Sequence, residues 1–146
     1  MRVYVDTNVL IRGMERTDDG AGEVGRMMDL AETGKLTLVT SELTLSELLV
    51  GPLRSGDALL AGDYEALLTH ERRFDLAVIS RSILIASAHI RANSSARLPD
   101  SVHVATAVQG GCDFIVSYDR RLGGLSELDV IEPSDMRFDA LDKSAP

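Results

Sequence analysis

Cysteine and aromatic residues are scarce in this 146-residue chain, which has one cysteine, no tryptophan and 4% aromatic residues. The single Cys112 has no disulfide partner and forms no CxxC pair, so we expect a reducing, intracellular setting and a buried thiol that acts as a small hydrophobe. Scarce aromatic side chains argue against a generic single-strand binder that stacks bases. A chain of this length is expected to form one domain, burying roughly 68–70% of its unfolded surface without disulfides or zinc.

Long apolar segments are also missing. No stretch approaches the roughly 20 apolar residues that a membrane-spanning helix needs. Asp6 interrupts the first apolar run, and no small-residue cleavage site follows, so the N-terminus does not resemble a signal peptide. We therefore expect a cytoplasmic protein with no membrane association.

Basic residues are in the minority. Fifteen Lys and Arg against 23 Asp and Glu give a net charge of −8, which argues against loose, charge-driven binding to nucleic acid. A nuclease is still compatible with this charge, because bound metal ions invert the local field around a carboxylate cluster. The acidic excess also suits a basic protein partner.

Strand-like and helix-like segments alternate along the chain. Short apolar runs predict strands at 3–5, 36–39, 74–79, 113–117 and 128–131. Apolar residues spaced three and four apart predict helices at 8–13, 21–32, 41 to about 51, 57–70, 80–92 and 100–109. This alternation indicates an α/β fold in which helices cover a parallel sheet.

Several boundaries have recognisable signals. Thr40 or Ser41 is expected to cap the third helix, and Gly51-Pro52 to end it. Pro99 suits the start of the last helix, where its missing N–H is tolerated. In the fourth helix the leucines expected to face inward are Leu59, Leu60, Leu67 and Leu68.

Four carboxylates lie at or near element junctions. Asp6 follows the first predicted strand, Asp119 follows the fourth, Asp100 opens a buried helix, and Glu47 lies within a leucine-rich helix. Residues after the ends of parallel strands share one edge of the sheet, so Asp6 and Asp119 can meet there. Alternatively, these acids are helix caps and solvated turns, since 23 acidic residues make chance placement easy.

Carboxylates packed together raise one another's pKa, and a shared divalent cation removes this penalty. Hard oxygen ligands favour Mg²⁺ or Mn²⁺ over zinc. Such a site suits hydrolysis of a phosphodiester, with the metal activating water and stabilising the leaving oxygen.

Four segments, in this order, resemble the motifs of PIN-domain nucleases. The third is the most specific, and all four together are a stronger signal than any one. The resemblance covers roughly residues 1–131 and leaves 132–146 as a polar C-terminal tail that we expect to be only partly ordered. The segments are Val3-Tyr4-Val5-Asp6-Thr7-Asn8-Val9-Leu10-Ile11, Thr44-Leu45-Ser46-Glu47-Leu48, Leu98-Pro99-Asp100-Ser101-Val102-His103-Val104-Ala105-Thr106-Ala107 and Phe114-Ile115-Val116-Ser117-Tyr118-Asp119.

The resemblance implies a three-layer α/β/α sandwich around a mainly parallel sheet of four to five strands. It implies an Mg²⁺- or Mn²⁺-dependent endoribonuclease and, at this compact length, a VapC-type toxin. The implied partners are an RNA substrate, a cognate antitoxin protein and a second copy of the chain in a homodimer.

The resemblance also assigns roles by position. Asp6 and Asp100 would be direct metal ligands, and the full acidic site would be Asp6, Glu47, Asp100 and Asp119. Asn8 would hold the turn after Asp6, and Ser117 would orient a carboxylate or a water.

Some residues compete for these roles. Glu42 and Glu47 are about 140° apart around a helix, so both cannot point into one site, and Glu42 suits the helix dipole in the first turn. His103 is either a general base or, as we favour, a packed and hydrogen-bonded histidine. Tyr118 stands where a small polar residue is more usual in the family. Arg120-Arg121 either contacts phosphate or covers the surface.

Two other functions stay open. The chain is alternatively a PIN-fold binding module without catalysis that engages a protein partner. A different metal phosphohydrolase is the third possibility, although the lack of a second aspartate two residues after Asp6 counts against a phosphatase with an aspartyl nucleophile.

Overall fold

The computed structural model describes residues 1–15, 19–70 and 72–138. Its sheet has five strands, and every hydrogen-bonded pair of neighbours is parallel. The prediction of a mainly parallel sheet of four to five strands is confirmed. The strands are β1 (Arg2–Val5), β2 (Thr37–Ser41), β3 (Phe74–Ala77), β4 (Phe114–Val116) and β5 (Asp129–Ile131), and they lie in the order β3-β2-β1-β4-β5.

Helices connect the strands, as the alternating pattern predicts. Within the described ranges there are six α-helices: α1 (Thr7–Glu15), α2 (Asp19–Glu32), α3 (Glu42–Ser55), α4 (Ala58–Thr69), α5 (Arg81–Ala92) and α6 (Leu98–Gln109). Two short 3₁₀ turns, Arg120–Leu122 and Pro133–Asp135, follow β4 and β5.

The central strand β1 divides the core into two sides. Successive side chains of a strand point to opposite faces, so Val3 and Val5 share one face and Tyr4 lies on the other. Val3 and Val5 join a buried cluster with residues of α1 to α4, whereas Tyr4 packs with Val104 and Ala107 of α6. The sheet is therefore covered on both sides, which confirms the three-layer sandwich.

One predicted helix boundary is wrong. Ser41 caps α3, accepting a hydrogen bond from the Leu43 amide (3.1 Å), but the helix continues through Pro52 to Ser55. Proline removes one backbone hydrogen bond, which is why Gly51-Pro52 was expected to end the helix. Pro52 is buried, and its carbonyl accepts a hydrogen bond from Gly56, whose left-handed conformation (φ 71°) ends the helix one turn later.

Two other expectations fail in detail. Leu59 is 78% exposed rather than inward, whereas Leu67 and Leu68 are buried as expected. The helix after Asp6 is longer than the predicted 8–13, since α1 runs from Thr7 to Glu15.

The segment after β5 contributes to the core. Met136 and Phe138 are buried in the same cluster as Val3 and Val5. The guanidinium of Arg26 lies 4.6 Å from the Phe138 ring centre. The predicted boundary at residue 131 stays a prediction, and residues 139–146 lie outside the described part of the chain.

Across the described residues, none of the helices combines the length and the apolar character that crossing a membrane would require.

Helices α1 and α2 pack tightly against each other at Gly13. A Cβ built on Gly13 would lie 2.7–2.9 Å from the side-chain carbons of the buried Val24. We predict that Gly13→Ala lowers the free energy of unfolding by roughly 1–2 kcal/mol, because overpacking outweighs the better helix propensity of alanine. Urea denaturation measures this change.

Gly25→Ala in α2 is the matched control, since a Cβ there meets nothing within 4 Å. This change should stabilise the protein by roughly 0.5–1 kcal/mol. Equal effects of the two substitutions would contradict the close helix contact.

Candidate functional site: an acidic cluster at the sheet edge

The ends of β1 and β4 form the crevice in which the candidate residues lie. From β1 the sheet extends to β2 on one side and to β4 on the other, so the strand order reverses here. Open α/β sheets hold ligands at such a switch point, outside the carboxyl ends of the strands. Asp6 follows β1, and its amide donates to the Val116 carbonyl at the end of β4 (3.0 Å).

A buried hydroxyl joins the two strand ends. Ser117 Oγ donates to Asp6 Oδ2 (2.7 Å) and accepts from the Asp119 amide (2.9 Å). The Asn8 side chain donates to both Asp6 Oδ2 (3.1 Å) and Ser117 Oγ (3.2 Å), and its Oδ1 accepts from the Tyr118 amide (3.2 Å). Asn8 and Ser117 therefore fix the position of Asp6 relative to the segment that carries Asp119.

Asp6 is a buried carboxylate at the centre of this arrangement. Its residue is 8% exposed, and its Oδ1 accepts from the Thr7 amide (2.8 Å). Burial raises the pKa of Asp6, against the opposing effects of the His103 charge and of the hydrogen bonds from Ser117 and Thr7. A cation beside this carboxylate would offset the cost of burying its charge.

Glu47 reaches the same place from α3. Its Oε1 accepts from Thr7 Oγ1 (2.8 Å) and bonds His103 Nε2 (2.5 Å). Burial acts to raise the pKa of Glu47, but the hydrogen bond and charge of His103, with the Thr7 hydroxyl, hold it below its usual value. Glu42 is exposed in the first turn of the same helix, as expected for an acid that interacts favourably with the helix dipole.

His103 is packed between β1 and α3. It is 2% exposed, its Nδ1 lies 2.6 Å from the Tyr4 hydroxyl, and its Nε2 lies 3.9 Å from Asp6 Oδ1. Burial acts to lower the pKa of His103, but the Glu47 hydrogen bond and the charges of Asp6, Glu47 and Asp100 raise it. This is the packed, hydrogen-bonded histidine that we favoured over a general base.

Sequence reasoning missed Tyr4 as part of the site. Burial raises the pKa of Tyr4 well above its ordinary value, so its hydroxyl keeps its proton beside His103 Nδ1. The raised pKa of His103 favours the protonated ring, in which Nδ1 donates to the Tyr4 hydroxyl oxygen and Nε2 donates to Glu47. The sequence offers one signal for this role: a tyrosine hydroxyl, between Val3 and Val5, in an otherwise apolar strand.

Asp100 and Asp119 are each held by an arginine. Asp100 Oδ2 accepts from Arg97 Nε (3.3 Å). Asp119 forms a two-pronged pair with Arg121, in which Nε and Nη2 donate to its two carboxylate oxygens (2.9 and 2.8 Å). The Arg121 hydrogen bond is the main reason why the pKa of Asp119 lies below its usual range.

The structure thus links Asp6 with Glu47 through Thr7, and with the Asp119 segment through Ser117. Asp100 is near enough for its charge to act on His103. Within residues 1–15, 19–70 and 72–138, however, no three His, Cys, Asp or Glu side chains are already placed to hold a metal ion. Tyr118 is the residue that departs from the family pattern. The guanidinium carbon of Arg12 lies 4.4 Å from the centre of its ring.

The residues present fit a hard divalent cation by their chemistry. All four acidic groups offer carboxylate oxygens, the ligands that Mg²⁺ and Mn²⁺ prefer. Asp6 is buried and its pKa is raised by desolvation, so a neighbouring positive charge would stabilise its ionised form. To share a cation with it, Asp119 would have to exchange Arg121 for the metal.

Glu47 and His103 generate a prediction that needs no substrate. Glu47→Gln removes the carboxylate that accepts from His103, so the pKa of His103 should fall. Titration of the histidine ring by NMR measures this shift. His103 is buried, whereas His70 and His89 are exposed, so the three ring signals can be told apart.

Glu42→Gln is the matched control on the same helix, and it should leave the His103 titration unchanged. An unchanged pKa of His103 in Glu47→Gln would contradict the hydrogen-bonded pair.

Comparison with known proteins places this geometry in context. The sequence profile described as PIN domain matches residues 3–128. No curated protein sequence matches the chain significantly.

Several solved structures share the fold. VapBC2 from Rickettsia felis, bound to a DNA fragment from its promoter, gives a TM-score of 0.70 at 14% identity over 90% of this chain and 98% of that one. FitAcB from Neisseria gonorrhoeae gives 0.68 at 19% identity, covering 92% and 99%. A toxin-antitoxin complex from Klebsiella pneumoniae gives 0.62 at 21% identity, covering 90% and 97%.

The profile match spans most of the chain, and the parallel sheet agrees with it in architecture. The acidic residues of the crevice lie in the segments that resemble the family's motifs. The chain therefore belongs to the PIN domain family.

Proposed function

We propose that this protein is an Mg²⁺- or Mn²⁺-dependent endoribonuclease and the toxin of a toxin–antitoxin pair. The observation that carries the proposal is the buried Asp6 at the switch point of the sheet, linked to Glu47 through Thr7 and to the Asp119 segment through Ser117. Membership of the PIN family supports nuclease chemistry, and the similarity to toxin-antitoxin structures supports the toxin role.

Asp6 and Asp100 would hold the metal directly, and Glu47 and Asp119 would complete the pocket directly or through water. When bound, the cation supplies an activated water and a positive charge next to the scissile phosphodiester. Without it, four carboxylates would repel the phosphate of RNA.

The protein's own residues orient and protect this centre. Ser117, Asn8 and the Thr7 amide fix both oxygens of Asp6, so the carboxylate needs no rearrangement when substrate arrives. Tyr4 and His103 fix one oxygen of Glu47. Because its pKa lies below the usual value, Glu47 stays ionised at neutral pH and can accept a hydrogen bond from the attacking water.

The substrate is proposed to be single-stranded or looped RNA, because side chains reach bases most readily there. The cognate antitoxin would be a small protein that inserts an arginine or lysine among the carboxylates. The net charge of −8 favours such a basic segment.

The α3–α4 hairpin exposes apolar side chains. Val50 and Leu53 of α3 and Leu59 of α4 are 42%, 69% and 78% exposed. An amphipathic helix of a partner would cover such residues, so this surface is proposed to serve the antitoxin or a homodimer.

RNA cleavage tests the proposed activity. Purified protein should cleave RNA with Mg²⁺ or Mn²⁺, and EDTA should abolish the cleavage. Asp6→Asn should lower the rate by at least about 10²-fold, because it removes a charged group that positions the metal. Cleavage that survives both EDTA and Asp6→Asn would refute the metal mechanism.

One observation favours a second function, a PIN-fold binding module without catalysis. In the described residues, Asp100 and Asp119 are paired with arginines, and no trio of ligands is preformed. Metal titration separates the two functions: absence of any site tighter than millimolar would favour the binding module.

A further inference from the structure

Arg121 is bound to the carboxylate of Asp119, one of the four acids of the proposed metal centre. Its Nε and amide both donate to Asp119 Oδ1 (2.9 and 3.0 Å), and its Nη2 donates to Oδ2 (2.8 Å). Paired guanidinium and carboxylate groups of this geometry are stronger than single contacts. While the pair is intact, a positively charged guanidinium is bound to both oxygens of Asp119, so a cation has to compete with Arg121 for this ligand.

The preceding arginine behaves differently. Arg120 Nε and Nη2 both lie 3.4 Å from Glu132 Oε1, outside the acidic crevice. Its side chain is 80% exposed, close to the 76% of Arg121. The two neighbours therefore have the same charge and similar exposure, but only Arg121 contacts one of the four candidate carboxylates.

Arg97 is a second arginine on the acidic cluster. It pairs with Asp100 at 3.3 Å, and its side chain is 70% exposed. Arg97, Asp100 and Arg121 line one small pocket of about 120 Å³, together with Leu122 and Leu125. The two arginines thus face a common space beside two of the carboxylates.

Electrostatics connects these arginines with the rest of the cluster. Arg121 is the main cause of the low pKa of Asp119, and the charge of Arg97 adds to it. The charge of Asp100 acts in turn on Arg121, after the larger effect of Asp119. Positive charge is therefore supplied to the cluster from within the chain.

We propose that Arg121, assisted by Arg97, is an exchangeable counter-ion of the acidic site. With no divalent cation bound, the two arginines neutralise Asp119 and Asp100. When a cation binds, it replaces them, and the freed guanidinium groups contact the phosphates of RNA. This inference rests on the proposed function, because it assumes that the same carboxylates hold the cation.

Physical chemistry favours this exchange. A divalent cation brings two charges to oxygens that a guanidinium neutralises with one, so the carboxylate gains by exchanging partners. Arginine is always protonated and matches phosphate with two parallel hydrogen bonds, so a released guanidinium suits an RNA backbone. Because Arg97 and Arg121 are mostly exposed, they can turn without unpacking the core.

Calorimetric titration with Mn²⁺, without RNA, tests the exchange. R121Q and R120Q remove the same charge from adjacent exposed positions, so their difference isolates the contact with Asp119. We expect R121Q to bind Mn²⁺ roughly two- to fivefold more tightly than R120Q, the range that an exposed ion pair supports. R97Q should shift the affinity in the same direction.

Binding of a short single-stranded RNA of mixed sequence, with Ca²⁺ to suppress turnover, is the second arm. Here R121Q should bind more weakly than R120Q, again roughly two- to fivefold. Its salt dependence should fall by about 0.7 in slope, as expected for one lost phosphate contact. Opposite signs in the two arms distinguish counter-ion exchange from damage to the fold, which would weaken both.

Equal Mn²⁺ affinities of R121Q and R120Q would overturn the inference, and so would a complete lack of Mn²⁺ binding in all variants. The Mn²⁺ arm involves neither RNA nor turnover. Wild-type protein that binds Mn²⁺ but cleaves no RNA would therefore refute the nuclease proposal alone, whereas cleavage with equal affinities would refute the exchange alone.

Discussion

The hydroxyl of Ser117 connects the two strand ends on which the candidate site depends. It donates to the carboxylate of the buried Asp6, 111 positions earlier in the chain, and accepts from the Asp119 amide, so one side chain sets the relative position of two acidic segments. A buried carboxylate is costly unless hydrogen bonds satisfy its oxygens. Hydrogen bonds from Ser117, Asn8 and the Thr7 amide stabilise the carboxylate of Asp6 at the buried end of an apolar strand.

Charge balance is the second constraint on the site. His103, Arg97 and Arg121 surround the four acidic groups, so the crevice is compensated even in a chain with a net charge of −8. His103 is locked between Tyr4 and Glu47, whereas the arginines are exposed. The positive charge of His103 is held in place by hydrogen bonds, whereas those of Arg97 and Arg121 can move away. This difference fits a site that has to admit a cation.

Much of the fold was predictable because strand and helix signals are local. The apolar run before Asp6 predicted the strand β1, and the apolar periodicity predicted the helices that carry Glu47 and Asp100. The Tyr4–His103 contact was not predictable, since the two residues lie 99 positions apart and nothing local couples them. Likewise, the passage of α3 through Pro52 depends on tertiary burial, and the pairing of Arg121 with Asp119 depends on side-chain geometry that no periodicity encodes.

Anomalous diffraction from crystals soaked in Mn²⁺ tests the central claim most directly. The account predicts a manganese peak in contact with an Asp6 oxygen and with Asp100, with Asp119 turned from Arg121 toward the metal or its water. A manganese ion bound away from Asp6, or an Asp119–Arg121 pair that stays intact at full metal occupancy, would contradict it.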